Sequence, residues 1–182
     1  MIITAYDSDW PTMFRREREA LASQVGDNLV EAEHIGSTSV PGLVAKPIID
    51  MLVAVRSLED LDAKAEWLRQ VGYDYLGEYG IAGRRYLRRH HPDGTRALHI
   101  HAFLAGDENF HRHFAFRDYL RAHLGERDAY AAKKQTLVDS GVDADGYLDG
   151  KQAFVVAMEQ RALAWAAAQK KGATAGALSK RM

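Results

Sequence analysis

The chain has 182 residues, 47% of them hydrophobic and 27% charged, with a formal net charge of -1, the balance of a globular protein with one substantial core. It contains no cysteine, which excludes disulfides and cysteine-bound metal centres and leaves carboxylate, histidine and main-chain oxygen as metal ligands. No run reaches the roughly 18 consecutive apolar residues that span a bilayer, and the opening MIITAYDSDW lacks the basic-then-apolar order of a signal peptide, so a cytoplasmic protein is expected.

IITAY alternates weakly and reads as a short edge strand. DSDWP then places an acidic cap before a proline, the signature of a helix start, and Phe14, Leu21 and Val25 share one face of the helix that follows. Leu29 to Ile35 reads as a strand. The stretch HIGSTSVPGLVAKPIID (34–50) interrupts it, and PIIDMLVAV (47–55) is an apolar run of strand length, as expected for a strand buried on both faces. Leu58, Leu61, Ala65, Leu68 and Val71 recur at helical spacing after Ser57, a cap residue, with a stop near Gly72.

Tyr73 to Glu78, Arg84 to His90 and Arg96 to Leu104 read as strands, the last two joined by a Pro-Asp-Gly turn into an antiparallel hairpin. From Asn109 the pattern is helical, over FHRHFAFRDYLRAH, over RDAYAAKKQTLV and in a long last helix from about Gly150. These elements predict an α+β fold with an α/β-like core: a mixed sheet flanked by helices, with helices at the C-terminal end. One domain is expected over residues 1–168, with a frayed tail over 169–182.

Asp50 is the one charge in PIIDMLVAV. An ionised carboxylate in such a strand needs a cation, a metal or several hydrogen-bond donors. Gly36-Ser37-Thr38 follows a strand, where backbone N–H groups and hydroxyls can approach an anion closely, although most such triplets are only turns. Strand alternation puts His99, His101 and Phe103 on one face of LHIHAF. With Asp50 on a neighbouring strand, the two imidazoles form a two-histidine, one-carboxylate set for a transition metal. The plain alternative is a pair of half-buried sheet histidines.

His34 is expected to face the same way as Gly36, and Glu33 the opposite way as a surface residue. Lys46, four residues before Asp50, is a candidate ion-pair partner or phosphate ligand, and equally an exposed lysine.

Lys and Arg number 7 against 14 Asp and Glu over residues 1–83, 11 against 6 over 84–134, and 6 against 5 over 135–182. A basic middle inside a near-neutral chain suits a small anion rather than an extended nucleic acid. On the strand bearing Arg84, Arg85, Arg88 and Arg89 only one alternating set can line a cleft, and the set containing Leu87, with Arg85 and Arg89, is taken as the inner one. Arg117 lies on the following helix, and Lys134 and Lys151 on later ones; solvated faces are the plain alternative for all three.

The order of an apolar residue, Gly-Ser, a spacer and an acid in an apolar strand resembles the signature of the nucleotidyltransferase superfamily that includes DNA polymerase β. More closely, the chain resembles the GrpB family, also called UPF0157. The resemblance rests on AYDSDWPTMF, EHIGSTSVPGLVAKPIIDMLV, LHIHAF, FRDYLR, YAAKK and YLDGK, pieces that cover nearly the whole chain.

It implies a nucleotidyltransferase-like sheet, with Gly36 and Ser37 as the phosphate-contacting pair, Asp50 as the first metal-binding acid, and Lys134 and Lys151 as the family's helical lysines. A second carboxylate normally stands two residues after the first, where both can share Mg²⁺; here that position is Leu52. LHIHAF offers histidines in place of the third acid, and these are poor Mg²⁺ ligands.

Three functions follow. The first is a nucleotide-binding enzyme of nucleotidyltransferase type, with Gly36, Ser37 and Thr38 at the phosphates, Asp50 at Mg²⁺ or Mn²⁺, and Arg85, Arg117, Lys134 or Lys151 balancing charge. The second is a non-catalytic, degenerate copy that binds a ligand or a protein partner; GrpB-like domains also occur fused to dephospho-CoA kinase, which implies a chaperone-like role. The third is a metal-dependent hydrolase using Zn or Fe on Asp50, His99 and His101.

Overall fold

A computed structural model of the chain describes residues 3–179, with the side chains of residues 144 and 171–179 outside the description. Its contacts divide it into two compact units, Ile3–Phe110 and a second from His111 onward. The expected tail over 169–182 falls mostly on positions outside the described side chains.

The first unit begins with α1 (Trp10–Val25), with Pro11 in its first turn. Asp9 stands at the cap position without a side-chain cap bond; instead the Asp7 carboxylate accepts the Asp9 N–H at 2.8 Å. β1 (Leu29–Ile35) and β2 (Ile49–Val55) follow, then the short helices α2 (Leu58–Ala63) and α3 (Ala65–Gln70). Next come β3 (Asp74–Tyr75), β4 (Arg85–His90) and β5 (Arg96–Leu104).

Of the IITAY strand, Thr4 forms an isolated antiparallel bridge to Ala45. Ser57 caps α2, accepting the Asp60 N–H at 3.0 Å. The expected single helix breaks at Lys64 (φ -90°, ψ 0°), whose Nζ donates to the carbonyls of Gln24 and Val25 at 2.9 and 3.0 Å. It thereby satisfies carbonyls that the end of α1 leaves unpaired.

The sheet order is β1-β2-β5-β4-β3. β2 and β5 run parallel, while β1 with β2, β4 with β5, and β3 with β4 are antiparallel. This is the mixed sheet and the α+β class that the sequence predicts. Parallel pairing of β2 and β5 requires a long crossover, which α2, α3 and the β3–β4 hairpin supply.

One face of the sheet carries the core: Ala32, Ile49, Met51, Val53, Val55, Leu87, Leu98, Ile100 and Ala102 pack with Trp10, Leu21 and Val25 of α1, Leu61 of α2 and Leu68 of α3. Each large aliphatic side chain buried there contributes about 1.5–3 kcal/mol of transfer free energy. With that face committed to helices, alternation sends Asp50, Leu52 and Ala54 of β2, and His99, His101 and Phe103 of β5, to the other.

The second unit is helical. It comprises most of α4 (Glu108–Ala122), then α5 (Leu124–Asp139) and α6 (Ala144–Ser179). α6 starts earlier than the expected Gly150 and carries two glycines in its first turns. At Gly150 a β-carbon would meet Leu137 Cδ2 at 2.5 Å, so a bare backbone lets α5 and α6 pack closely there.

Candidate functional site

The site is built where β1 ends and β2 begins. Ile35 and Asp50 are register partners, so the residue after Ile35 turns directly over the acid. That residue is Gly36, with φ 71° and ψ -173°, a conformation essentially confined to glycine. A β-carbon there would collide with Asp50 Oδ2 and lie 3.0 Å from its Cβ and Cγ. Bare backbone is thus laid against a carboxylate. The turn Ser37–Ser39 follows, held by the Ser39 hydroxyl donating to the Gly36 carbonyl at 2.6 Å.

Of the expected phosphate ligands in this loop, Gly36 and Ser37 are partly exposed. Thr38 is 1% exposed, and its hydroxyl lies 3.3 Å from the Ile48 carbonyl and 3.0 Å from His34 Nε2. Donating to the carbonyl and accepting from the imidazole, it holds the loop from inside. Lys46 is partly buried in the segment leading into β2.

His34 takes the core face, stacked on Phe14 of α1 with ring centroids 5.0 Å apart. It is Glu33, expected at the surface, that pairs in register with Leu52 and shares the Asp50 face. The expectation for these two residues is therefore reversed, because the face with the aliphatic side chains packs on α1 and takes His34 with it.

The two histidines diverge in their partners. His99 is the register partner of Asp50, and its Nδ1 lies 3.1 Å from Asp50 Oδ1. The carboxylate can only accept, so Nδ1 carries the proton, and Nε2 is buried with no hydrogen-bond partner. His101 sits opposite Leu52, and its Nδ1 lies 3.3 Å from Arg84 Nη1. A guanidinium can only donate, so this Nδ1 carries the lone pair.

Asp50 and His99 are thus brought together and His101 is engaged elsewhere; among the described residues no three His, Asp or Glu side chains are gathered to hold a metal ion. The arrangement does not fit a two-histidine, one-carboxylate Zn or Fe centre.

Arg85 lies on the opposite face of the sheet from Asp50. It forms a two-pronged pair with Asp62 of α2, both contacts at 2.6 Å, which holds the Asp62 carboxyl below its ordinary range. Arg89, on the same face, pairs with Glu17 of α1. The leucine between them marks the face packed on helices, not the cleft expected from the strand's alternation.

The residue that joins the Asp50 face instead is Arg84. It is 6% exposed, with its guanidinium over the Tyr86 ring at 4.9 Å. Burial lowers its pKa. Burial foremost, and then the charge of Asp50, raises that of Tyr86. No local pattern in the sequence points to Arg84, because Leu87 assigns Arg85 to the core face only once the helices are known to cover that face.

The remaining expected cations lie in the helical unit. Arg117 of α4 pairs with Asp118 at 2.8 Å. Lys134 of α5 is 2% exposed, its Nζ 4.2 Å from the Tyr130 ring centroid. Lys151 of α6 lies 5.0 Å from the Tyr147 ring centroid.

An α+β unit with a glycine turn laid on a strand acid, continued by a helical unit, is the class that fold and site define. Residues 1–161 match the GrpB protein family, and the chain belongs to it. UPF0157 protein YqkA of Bacillus subtilis is 39% identical over 90% of this chain, which spans 47% of that relative's length. A dephospho-CoA kinase of Mycobacterium bovis is 31% identical over 88% of this chain and 45% of its own length.

The crystal structure of conserved protein GrpB from Enterococcus faecalis is 40% identical, with a TM-score of 0.83 over 89% of this chain and 97% of that one. The structure of Cid1 in complex with the UTP analog UMPNPP is a remoter neighbour, 16% identical with a TM-score of 0.44 over 72% of this chain and 44% of that one. Among the described residues no helix is long and apolar enough to cross a membrane.

Proposed function

We propose that the chain is a nucleotidyltransferase-like protein that binds a nucleotide, or another phosphorylated small molecule, over Gly36, Ser37 and Asp50. The observation that carries this reading is the laying of Gly36, at φ 71°, directly on the Asp50 carboxylate. A phosphate group reaching the loop meets backbone that has no side chain to repel it. Asp50 would be the protein ligand of a divalent cation, Mg²⁺ or Mn²⁺, which would offset the charge of the phosphates and tolerates a single protein carboxylate. Lys46 stands in the same unit, partly buried in the segment leading into β2, and is a candidate for the charge balance.

A second reading, binding without transfer, is favoured by one residue. Leu52 occupies the position of the second acid and is fully buried. A bound cation would then have no second carboxylate of β2 to help orient an attacking oxygen in a two-metal displacement. A protein partner in place of turnover belongs to this reading.

The test is thermal unfolding of wild type and Asp50→Asn with each of the four nucleoside triphosphates, with and without Mg²⁺ or Mn²⁺. Specific binding raises apparent stability by mass action. Stabilisation that needs both nucleotide and metal, and that is lost in Asp50→Asn, is expected. No metal-dependent shift with any nucleotide would overturn the reading. Binding with pyrophosphate release separates an enzyme from a binding module.

A further inference from the structure

The loop between β3 and β4 carries a side chain that ordinary folding forces do not explain. Tyr79 has φ 45° and is the one described non-glycine residue with positive φ, a conformation that costs roughly 1–2 kcal/mol for a residue with a β-carbon. Glycines stand next to it at Gly80 and nearby at Gly77 and Gly83, yet the strained position is filled by tyrosine. Nor is the ring buried in return: Tyr79 is 59% exposed.

What holds it there is specific. Its carbonyl accepts from Arg84 Nη2 at 2.6 Å, and the carbonyl before it, of Glu78, accepts from Arg84 Nε at 3.2 Å. The Glu78 carboxylate closes the loop by accepting the Gly83 N–H at 2.7 Å. Arg84 also reaches His101, so one buried guanidinium fixes the loop to the histidine-bearing strand.

The Tyr79 ring is stacked on Tyr86, with centroids 5.2 Å apart and planes 18° apart. Tyr86 in turn touches His99 at 5.7 Å, and His99 is bonded to Asp50. A row of rings therefore runs from the acid to Tyr79, on the same face of the sheet. The row ends in an aromatic side chain with one face covered by Tyr86 and substantial exposure to solvent.

We propose that Tyr79 is a stacking platform for the base of a nucleotide whose phosphates lie at Gly36 and Asp50, and that Arg84 is the positioning residue that holds the platform in place. Every nucleobase has a flat face that such a ring can cover without reading hydrogen-bond groups, so the platform selects for a nucleoside moiety rather than for one base. The placement of the phosphates rests on the function proposed above; the platform itself rests on Tyr79 and Arg84.

The test compares wild type, Tyr79→Ala, Tyr79→Gly and Tyr79→Phe, titrated by calorimetry with ATP, UTP, adenosine and inorganic triphosphate in the presence of Mg²⁺. Tyr79→Gly relieves the backbone strain while removing the ring, so it separates lost stacking from lost folding. Nucleoside triphosphates are expected to bind wild type and Tyr79→Phe alike. They are expected to bind the Ala and Gly variants roughly 10- to 100-fold more weakly, given the usual contribution of base–aromatic stacking.

Inorganic triphosphate is expected to bind all four proteins equally. If the Ala and Gly variants keep wild-type affinity for ATP and UTP, the platform is overturned and the phosphate site stands. If nucleosides bind through Tyr79 while inorganic triphosphate does not bind at all, the platform stands and the phosphate site falls. If wild type binds none of the four ligands, both fall.

Discussion

Gly36 and Asp50 are in contact such that no β-carbon fits between them: one placed on Gly36 would overlap Asp50 Oδ2. Two constraints act on the same residue, since its φ of 71° and ψ of -173° also exclude side chains. Gly36→Ala is expected to cost about 3 kcal/mol, from backbone strain together with the overlap. Urea unfolding measures it, and any ligand that stabilises wild type should stabilise this variant less, because Asp50 must move.

Leu52 and Asp50 stand two residues apart on β2, on one face, and play opposite parts. Leu52 is fully buried, so Leu52→Ala should cost about 2–5 kcal/mol through lost burial and a residual cavity. Asp50→Asn keeps the shape and an acceptor for the His99 N–H, and its cost should be about 1 kcal/mol or less. The denaturation midpoints of the two variants check this ordering. The reverse order would mean that Asp50 serves the fold rather than a ligand.

The Arg85–Asp62 pair gives a pH dependence whose sign is fixed. Asp62 titrates below its ordinary value of 3.8, first because of the hydrogen bonds from Arg85, so folding favours its ionised form. Its contribution is present above the unfolded value and is lost as pH falls through the lower folded value. Asp62 has a side chain 41% exposed, and after solvent screening the contribution is about 1 kcal/mol or less. The stability difference between wild type and Asp62→Asn, measured in urea from pH 7 to pH 3, should therefore narrow below about pH 4.

The sequence made the central strands legible because their patterns are long and unambiguous. β1 runs over Leu29–Ile35 and β5 over Arg96–Leu104, as periodicity and turn chemistry predict. β3 shrinks to Asp74–Tyr75, because the following loop is folded around Arg84, a tertiary contact that no local pattern carries. The loop–acid unit of Gly36 and Asp50 was legible since both halves lie in one segment.

The partners across the sheet were not. Whether Arg84 or Arg85 faces Asp50 depends on which face packs on helices, and Leu87 marks that face only once α1 and α2 are known to cover it. His99 and His101 share a face as alternation requires, yet register, which the sequence does not reveal, gives Asp50 to one and Leu52 to the other.

Arg84 and Arg85 are neighbours in sequence with opposite duties, and that contrast can be measured. Arg85→Gln breaks the two-pronged contact to Asp62 on the core face, so it should lower the unfolding midpoint. Its links to the Tyr79 loop are a 3.9 Å pairing with Glu78 and a 3.2 Å bond to the Arg84 carbonyl, weak enough that nucleotide affinity should stay within about twofold. Arg84→Lys keeps a positive charge but cannot hold the carbonyls of Glu78 and Tyr79 and the ring of His101 together, since an ammonium lacks the planar fork. It should release the Tyr79 loop and weaken nucleotide binding about tenfold, one increment of roughly 1.4 kcal/mol. Proteolysis within residues 77–83 should quicken in Arg84→Lys and not in Arg85→Gln. Equal losses of affinity in both variants would show that the two faces of the sheet are not independent and would remove Arg84 from its positioning role.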